Sequence, residues 1–375
     1  MLTPRTSRLA ALACQGNLNG TARPPVLLIP GTQVYASENW DPSYQPVLRN
    51  RGHAVCYVDL PKFGTRDVQA NAEYVATAIR SIASRSQRRI SIIGHSQGAY
   101  LPHVALRTWP DLAAHVNDVV GLAGVYDKGS NAFRGKCQNA CTPVLHQLAH
   151  GSDFLTRIRK RRLPTGPDYT NIGTLGDGTI TPQPVANRQP GARSVILQNL
   201  CPGRVVQQPE HAMIVGDNAA LKVTLDALNH RGPADPSRID RAVCATDQYP
   251  GFDSAAYLAV APLVPARAGP STTREPRLYC RYRETCRDPR LRGRLILKPR
   301  YTIRAHTVIV RARALGPGRI EVRLGSHQAI RKVGAGMFEV RFDRPDKRLR
   351  LKVLTRPRYY TVLTTEATKW IPRRR

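Results

Sequence analysis

Five residues, Gly94-His95-Ser96-Gln97-Gly98, constrain the fold of this chain more than any other feature. They lie between an apolar run, RRISII, that reads as a strand and a segment, QGAYLPHVAL, that reads as a helix. Small residues at 94 and 98 let a strand turn sharply into a helix, and the turn lifts the Ser96 hydroxyl above a sheet edge. The surrounding sequence has the same rhythm. Segments 25–29, 54–60, 89–93, 117–122, 170–175 and 194–200 read as short buried strands. Between them, 67–83 carries apolar residues at Val68, Ala72, Val75, Ala78, Ile79 and Ile82, a helical period. Residues 97–108 read as a second helix, ended by Pro110, and 212–228 as a closing one. Strands alternating with helices predict an α/β fold, a mostly parallel sheet covered on both faces.

Two stretches break the rhythm. Residues 127–167 carry Cys137 and Cys141, an apolar run and the basic cluster 157–162, and read as a lid-like excursion over the sheet. After about residue 290, segments 294–314, 319–324, 338–342, 348–354 and 359–364 alternate with period two, which predicts a small all-β, sandwich-like domain. The expected organisation is a catalytic domain over 1–290 and a basic accessory domain over 291–375. Of the chain's 57 Lys and Arg residues, 29 fall from residue 271 onward, against 8 Asp and Glu. Such a region suits an anionic surface, a lipid–water interface or an acidic polymer. No specific nucleic acid is expected as a partner.

The eight cysteines are even in number and scattered, with no CxxC pair and no histidine at metal-ligand spacing. That pattern predicts disulfides and an oxidising, extracellular compartment. Arg5 and Arg8 precede only a short apolar stretch, residues 9–13. A secretion signal needs ~7–15 apolar residues, so the signal is expected to be absent from this chain. No apolar run reaches the ~18 residues of a membrane span, and the chain is expected to be soluble.

A serine hydroxyl is a weak nucleophile until a base takes its proton. In this type of turn the partners follow in the order Ser, acid, His. Asp177 follows the strand-like TNIGTLG and is the candidate acid, with Asp127 as its rival. His211, in QQPEHAMIV between the last strand and the closing helix, is the candidate base. His230 falls after that helix and is badly placed. The oxyanion of an acyl-transfer intermediate needs preformed donors. The candidates are the Gln97 backbone N–H and Thr32, in Pro30-Gly31-Thr32 after the first parallel strand.

These residues resemble the fungal lipase B type from Candida antarctica and its bacterial relatives, within the α/β-hydrolases. The resemblance is carried by CQG at 14–16, PVLLIPGTQ at 25–33, and Gln69, Asn71, Glu73, Tyr74, Ala78 and Ile79. The SQG of the turn, DGTITPQ from Asp177 and the order Asp177 then His211 extend it over roughly residues 4–290. It implies hydrolysis of acyl esters, triacylglycerols or other lipid esters, through an acyl-enzyme on Ser96, without metal or cofactor. It also implies disulfides Cys14–Cys56 and Cys201–Cys244, leaving Cys137 with Cys141 and Cys280 with Cys286. The family carries an aromatic residue where this chain has His95, which places His95 among the candidate substrate-binding residues. Tyr126 and Asp127 stand swapped relative to the family. The stretch 255–265 resembles the family's long pocket-lining helix, so Leu258 and Leu263 join Leu145, Leu148 and Leu155 of the excursion as candidate wall residues. The basic β region has no counterpart in the short fungal enzyme. Two alternatives stay open: an acyltransferase or polyester-degrading esterase with the same residues, and an anionic-surface binding protein with a vestigial triad.

Overall fold

The computed structural model describes residues 1, 3–21, 23–279, 282, 300–304, 306–314, 318–333, 336–343, 345, 348–357 and 366–371. Its contacts divide into two compact units, Met1–Leu278 and Tyr279–Arg375.

The first unit is built on seven strands: β1 (Leu12–Gln15), β2 (Val26–Ile29), β3 (Val55–Val58), β4 (Ile90–His95), β5 (Val116–Leu122), β6 (Asp168–Gly173) and β7 (Arg193–Ile196). Their order is β1-β3-β2-β4-β5-β6-β7. Every pairing from β3 to β7 is parallel. Strands β2, β3 and β4 are buried at every residue, as expected of a sheet covered on both faces. Strand β1 is an addition to the six strands read from sequence; it pairs antiparallel with β3 and sets Cys14 opposite Cys56.

Helices follow the predicted periods. Val68–Ser86 is capped by Asp67, whose carboxylate accepts the Gln69 N–H, and it ends at Gln87 in the left-handed region. Gln97–Thr108 occupies the span predicted for it. The closing helix, expected as one piece, is two: Glu210–Met213 and Asn218–Asn229, the second capped by Asp217. The end of the predicted sixth strand is also helical, Leu197–Leu200. The stretch 255–265 is not a long helix. It makes one turn, Ser254–Leu258, then the 3₁₀ turns Ala261–Leu263 and Pro265–Arg267, because Pro262 and Pro265 lack the N–H a continuing helix needs.

The sequence order of β2 and β3 runs one way from β2, and β4 to β7 run the other. The carboxyl ends of β2 and β4 therefore meet at the sheet's switch point, where open α/β sheets leave a crevice. The excursion between β5 and β6 holds three short helices, Asn131–Lys136, Pro143–Leu148 and Asp153–Ile158. Disulfides join Cys14–Cys56, Cys137–Cys141 and Cys201–Cys244. The pairing of Cys280 with Cys286 lies outside the described residues. Among the described residues no helix is long and apolar enough to cross a membrane.

The second unit has strands β8 (Arg300–Ile303), β9 (Thr307–Ala314), β10 (Gly318–Leu324), β11 (His327–Val333), β12 (Gly336–Asp343), β13 (Leu349–Pro357) and β14 (Glu366–Ile371). They form two antiparallel sheets, β11-β10-β13-β14 and β12-β9-β8. A shared core includes Val308, Val310, Val322, Leu324, Val340, Leu351 and Val353. The strand expected at 359–364 lies outside the described residues.

One buried carboxylate taxes the sheet. Burial pushes the Asp118 carboxyl on β5 up to about 6, against the Ser91 hydroxyl that donates to it at 2.6 Å; nearby Asp168 raises it further. A carboxyl raised above its unfolded value of about 4 costs stability when ionised, so its cost is absent below pH ~4 and complete above pH ~6. Asp118→Asn should therefore raise stability at pH 8, with the gain closing toward pH 4, as read from urea unfolding at both pH values.

Candidate active site

Ser96 sits between β4 and the helix Gln97–Thr108 at φ 56°, ψ −121°. A non-glycine residue at positive φ is strained and is held only where its surroundings over-determine it. Here the glycines do so. A Cβ on Gly94 would lie 2.1 Å from the Gly98 carbonyl oxygen, and one on Gly98 would lie 2.4 Å from the carbonyl oxygens of Ile29 and Pro30. Any side chain at either position would force the turn open. The backbone carbonyls of the β2 end pack directly against the turn, so β2 and β4 present their carboxyl ends together.

Asp177 lies after β6 and His211 after β7, in loops on the same edge of the sheet. His211 Nε2 is 2.9 Å from Ser96 Oγ, and His211 Nδ1 is 2.8 Å from Asp177 Oδ2. The other carboxylate oxygen of Asp177 accepts the backbone N–H groups of Thr179 and Ile180, each at 2.8 Å. Asp177 is buried and His211 partly so. A neutral imidazole with Nδ1–H directed at the carboxylate leaves Nε2 to accept the serine proton. The excursion braces the acid's loop: Ser130 Oγ donates to the Thr179 carbonyl and accepts the Thr181 N–H.

The two candidate oxyanion donors meet beside the serine. Gln97 is the first residue of its helix, so its N–H has no intrahelical acceptor. Its side-chain Nε2 donates to Thr32 Oγ1 at 2.9 Å and to the Gly64 carbonyl at 3.0 Å, and its Oε1 accepts from Asn71 at 2.6 Å. With its oxygen accepting from Gln97, the Thr32 hydroxyl keeps its own proton for a ligand. Nothing in the sequence pattern singles out Gly64 as part of this network. Its φ of 71° and the 2.7 Å that a Cβ would leave to Gln97 Nε2 demand glycine.

The strained loop after β2 is pinned from the far end of the unit. Gln33, at φ 71°, donates its N–H to the Phe63 carbonyl at 2.7 Å and its side-chain amide to the Val264 carbonyl at 2.9 Å. Arg267 forms two bonds to Glu38, at 2.6 and 2.8 Å, and lies against the Tyr35 and Phe63 rings. Tyr257 donates to the Ala212 carbonyl, one residue after His211. The segment 254–268 thus touches the loops of both Thr32 and His211. Glu38 and Arg267 are far apart in sequence, and no local pattern marks the pair.

Other expected positions fall elsewhere. Asp127 is an ion-pair partner: Arg107 binds both its oxygens at 2.6 and 2.9 Å, and Tyr100 and Gln189 donate to it. Burial raises its pKa, but these donors hold the carboxyl below its usual range. His230 pairs with Asp226. His95 packs inside the site beside His211. Its ring is buried, 5% exposed, and lies behind His211 with centroids 5.3 Å apart. Leu148 and Leu155 are fully buried in the excursion's own packing, and Leu145 is half-buried. Leu258 packs against the main core, whereas Leu263 is 48% exposed. His146, which sequence spacing did not connect to any cysteine, has a ring nitrogen within 4.8 Å of the sulfurs of Cys137 and Cys141. Both sulfurs are spent in a disulfide and His146 Nε2 meets the Thr272 carbonyl, so the cluster offers no metal ligand set.

Residues 26–232 match the family described as the alpha/beta hydrolase family. The chain is 26% identical to lipase B of Pseudozyma antarctica over 186 residues, 48% of this chain and 53% of that protein. The match thus spans about half the length of that curated relative. Among solved structures, lipase B of Aspergillus fumigatus superposes with a TM-score of 0.67 at 23% identity, covering 75% of this chain and 72% of that one. The mature Bacillus licheniformis lipase BlEst2 matches at a TM-score of 0.45 and 17% identity, over 58% of this chain and 97% of that one.

The Arg107–Asp127 pair yields a stability prediction. Asp127→Asn leaves the buried guanidinium without its counter-charge, which costs about 3–5 kcal/mol. Urea unfolding should show that loss.

Proposed function

The chain belongs to the alpha/beta hydrolase family, and we propose that within it this protein is a serine carboxylester hydrolase, a lipase or esterase acting on lipid esters. The observation that carries the reading is the unbroken line from Ser96 Oγ through His211 to Asp177, at 2.9 and 2.8 Å, on a turn that tolerates only glycine at both flanks. Relatives named lipase B support it.

In this reading Ser96 Oγ attacks the ester carbonyl carbon as His211 Nε2 takes the hydroxyl proton. Asp177, fixed by two backbone N–H groups, holds the imidazole and stabilises its charged form. The carbonyl oxygen becomes an oxyanion, met by the Gln97 N–H and by Thr32. Collapse expels the alcohol, which leaves with the proton from His211. Water then repeats the sequence on the acyl-enzyme, and the freed acid departs. The three disulfides among the described residues support an oxidising, extracellular setting.

The second unit supports an accessory role at anionic surfaces. Arg300 stands directly opposite Arg311, and Arg323 opposite Lys352, across antiparallel pairs. Like charges in that register repel; Glu321 offsets Arg323, and a polyanion would meet the remaining excess of positive charge. Glu339 pairs with both Arg311 and Arg341.

Hydrolysis of short- and long-chain nitrophenyl esters tests the chemistry. Ser96→Ala should lower kcat by ~10⁴-fold or more. Equal activity in wild type and variant would overturn the assignment. Products analysed with an alcohol present distinguish transfer from hydrolysis. For the second unit, binding of the full chain to anionic vesicles should fall steeply between low and high salt, while turnover of a small soluble ester stays level. Salt-independent binding would remove the accessory role.

A further inference from the structure

We infer that His95 is a positioning residue: its Nε2–H, given to the backbone carbonyl of His211, fixes where the His211 ring stands between Asp177 and Ser96. The inference rests on the proposed roles of those three residues. It differs from the pocket-wall role that the family resemblance implies for position 95.

The geometry is specific. His95 Nε2 lies 2.8 Å from the His211 carbonyl oxygen, and Nδ1 lies 3.2 Å from Asn39 Oδ1. Both facing oxygens only accept and a neutral ring has one N–H, so the shorter contact, to the His211 carbonyl, places the proton on Nε2. Burial, with His211 beside it, pushes the His95 pKa down to about 3, so the ring is neutral and carries that single proton at Nε2. Its Nδ1 faces Asn39 Oδ1 rather than Ser96, although the two residues are sequence neighbours.

The carbonyl it holds needs a donor. His211 lies in Glu210–Met213, a helix of one turn in which the Glu210 carbonyl accepts the Ile214 N–H, while the carbonyls that follow need other partners. Among the described residues no backbone N–H reaches the His211 oxygen. The imidazole is thus the hydrogen-bond partner of the peptide that carries the base. On its other side the ring abuts the loop of Thr32: a Cβ on Gly31 would lie 3.2 Å from His95 Nδ1 and 3.4 Å from the Ser96 Cβ. Asn39 Oδ1 accepts the Gly31 N–H at 3.0 Å. The His95 ring is wedged between the peptide of the base and the loop of an oxyanion donor. Because it is anchored in the strand β4 that bears the nucleophile, it references both to Ser96. An aromatic hydrocarbon ring would fill the same space but donate nothing to the carbonyl.

The test compares two amides at position 95 in the full chain. Gln carries its N–H to the place of Nε2 and can hold the His211 carbonyl; Asn reaches only as far as Nδ1. Small misplacements of a catalytic group cost about 10- to 100-fold in rate. His95→Gln should therefore exceed His95→Asn in kcat by at least about tenfold, with KM values within about twofold of each other. A second readout needs no turnover: the low-field NMR resonance of the His211 Nδ1 proton should persist in the Gln variant and shift or broaden in Asn. If Asn does not fold, His95→Met, as long as Gln but without a donor, takes its place. Folded variants with equal kcat and the same proton resonance would overturn the inference. If the wild type hydrolyses no ester, the proposed function fails, and the resonance alone then decides the role of His95.

Discussion

The backbone of Ser96 is held at φ 56° by a steric demand that reaches beyond its own turn. Gly94 and Gly98 have no room for a Cβ, because the Gly98 carbonyl and the last carbonyls of β2 occupy that space. The strain is tolerated because β2 and β4 are buried, adjacent and parallel. The same packing brings the Pro30–Thr32 loop beside the serine without any contact designed for that alone. The candidate site thus follows from strand order: a reversal at β2, a turn that only glycine permits, and two further loops on the same edge.

Polar contacts then refine what the strands place. Asp177 is fixed by two backbone N–H groups, Gln97 by Asn71, Gly64 and Thr32, and the loop after β2 by Glu38, Arg267 and Val264. These bonds are buried or partly buried, where an unpaired polar group is costly. Their benefit is less net stability than uniqueness of position for the candidate side chains. Segment 254–268, broken by prolines, touches two of the loops at once.

Much of this was legible because it rests on local chemistry. The helix Gln97–Thr108 and the strands β2 to β6 have periods and bounding residues that single segments declare. Ser96, Asp177 and His211 were legible as an order of residue types placed after strands. What could not be read depends on distant pairing. Strand β1 is only four residues and is defined by its register against β3. Asp127 looks as well placed as Asp177 until Arg107, twenty residues away, is seen to bind both its oxygens. The contact of His95 with the His211 carbonyl, 116 residues later, likewise has no local signature. The excess positive charge was plain in the composition, but the facing of Arg300 with Arg311 needed the register.

The central claim is that Ser96 is an activated nucleophile. It is tested most directly by treating the native protein with a fluorophosphonate and mapping the adduct by peptide mass spectrometry. Such a reagent phosphonylates a serine whose proton a neighbouring base can take. The account predicts stoichiometric phosphonylation of Ser96 at neutral pH, abolished when His211 is replaced by alanine. An unmodified Ser96, or label spread over surface serines and unaffected by His211, would contradict it.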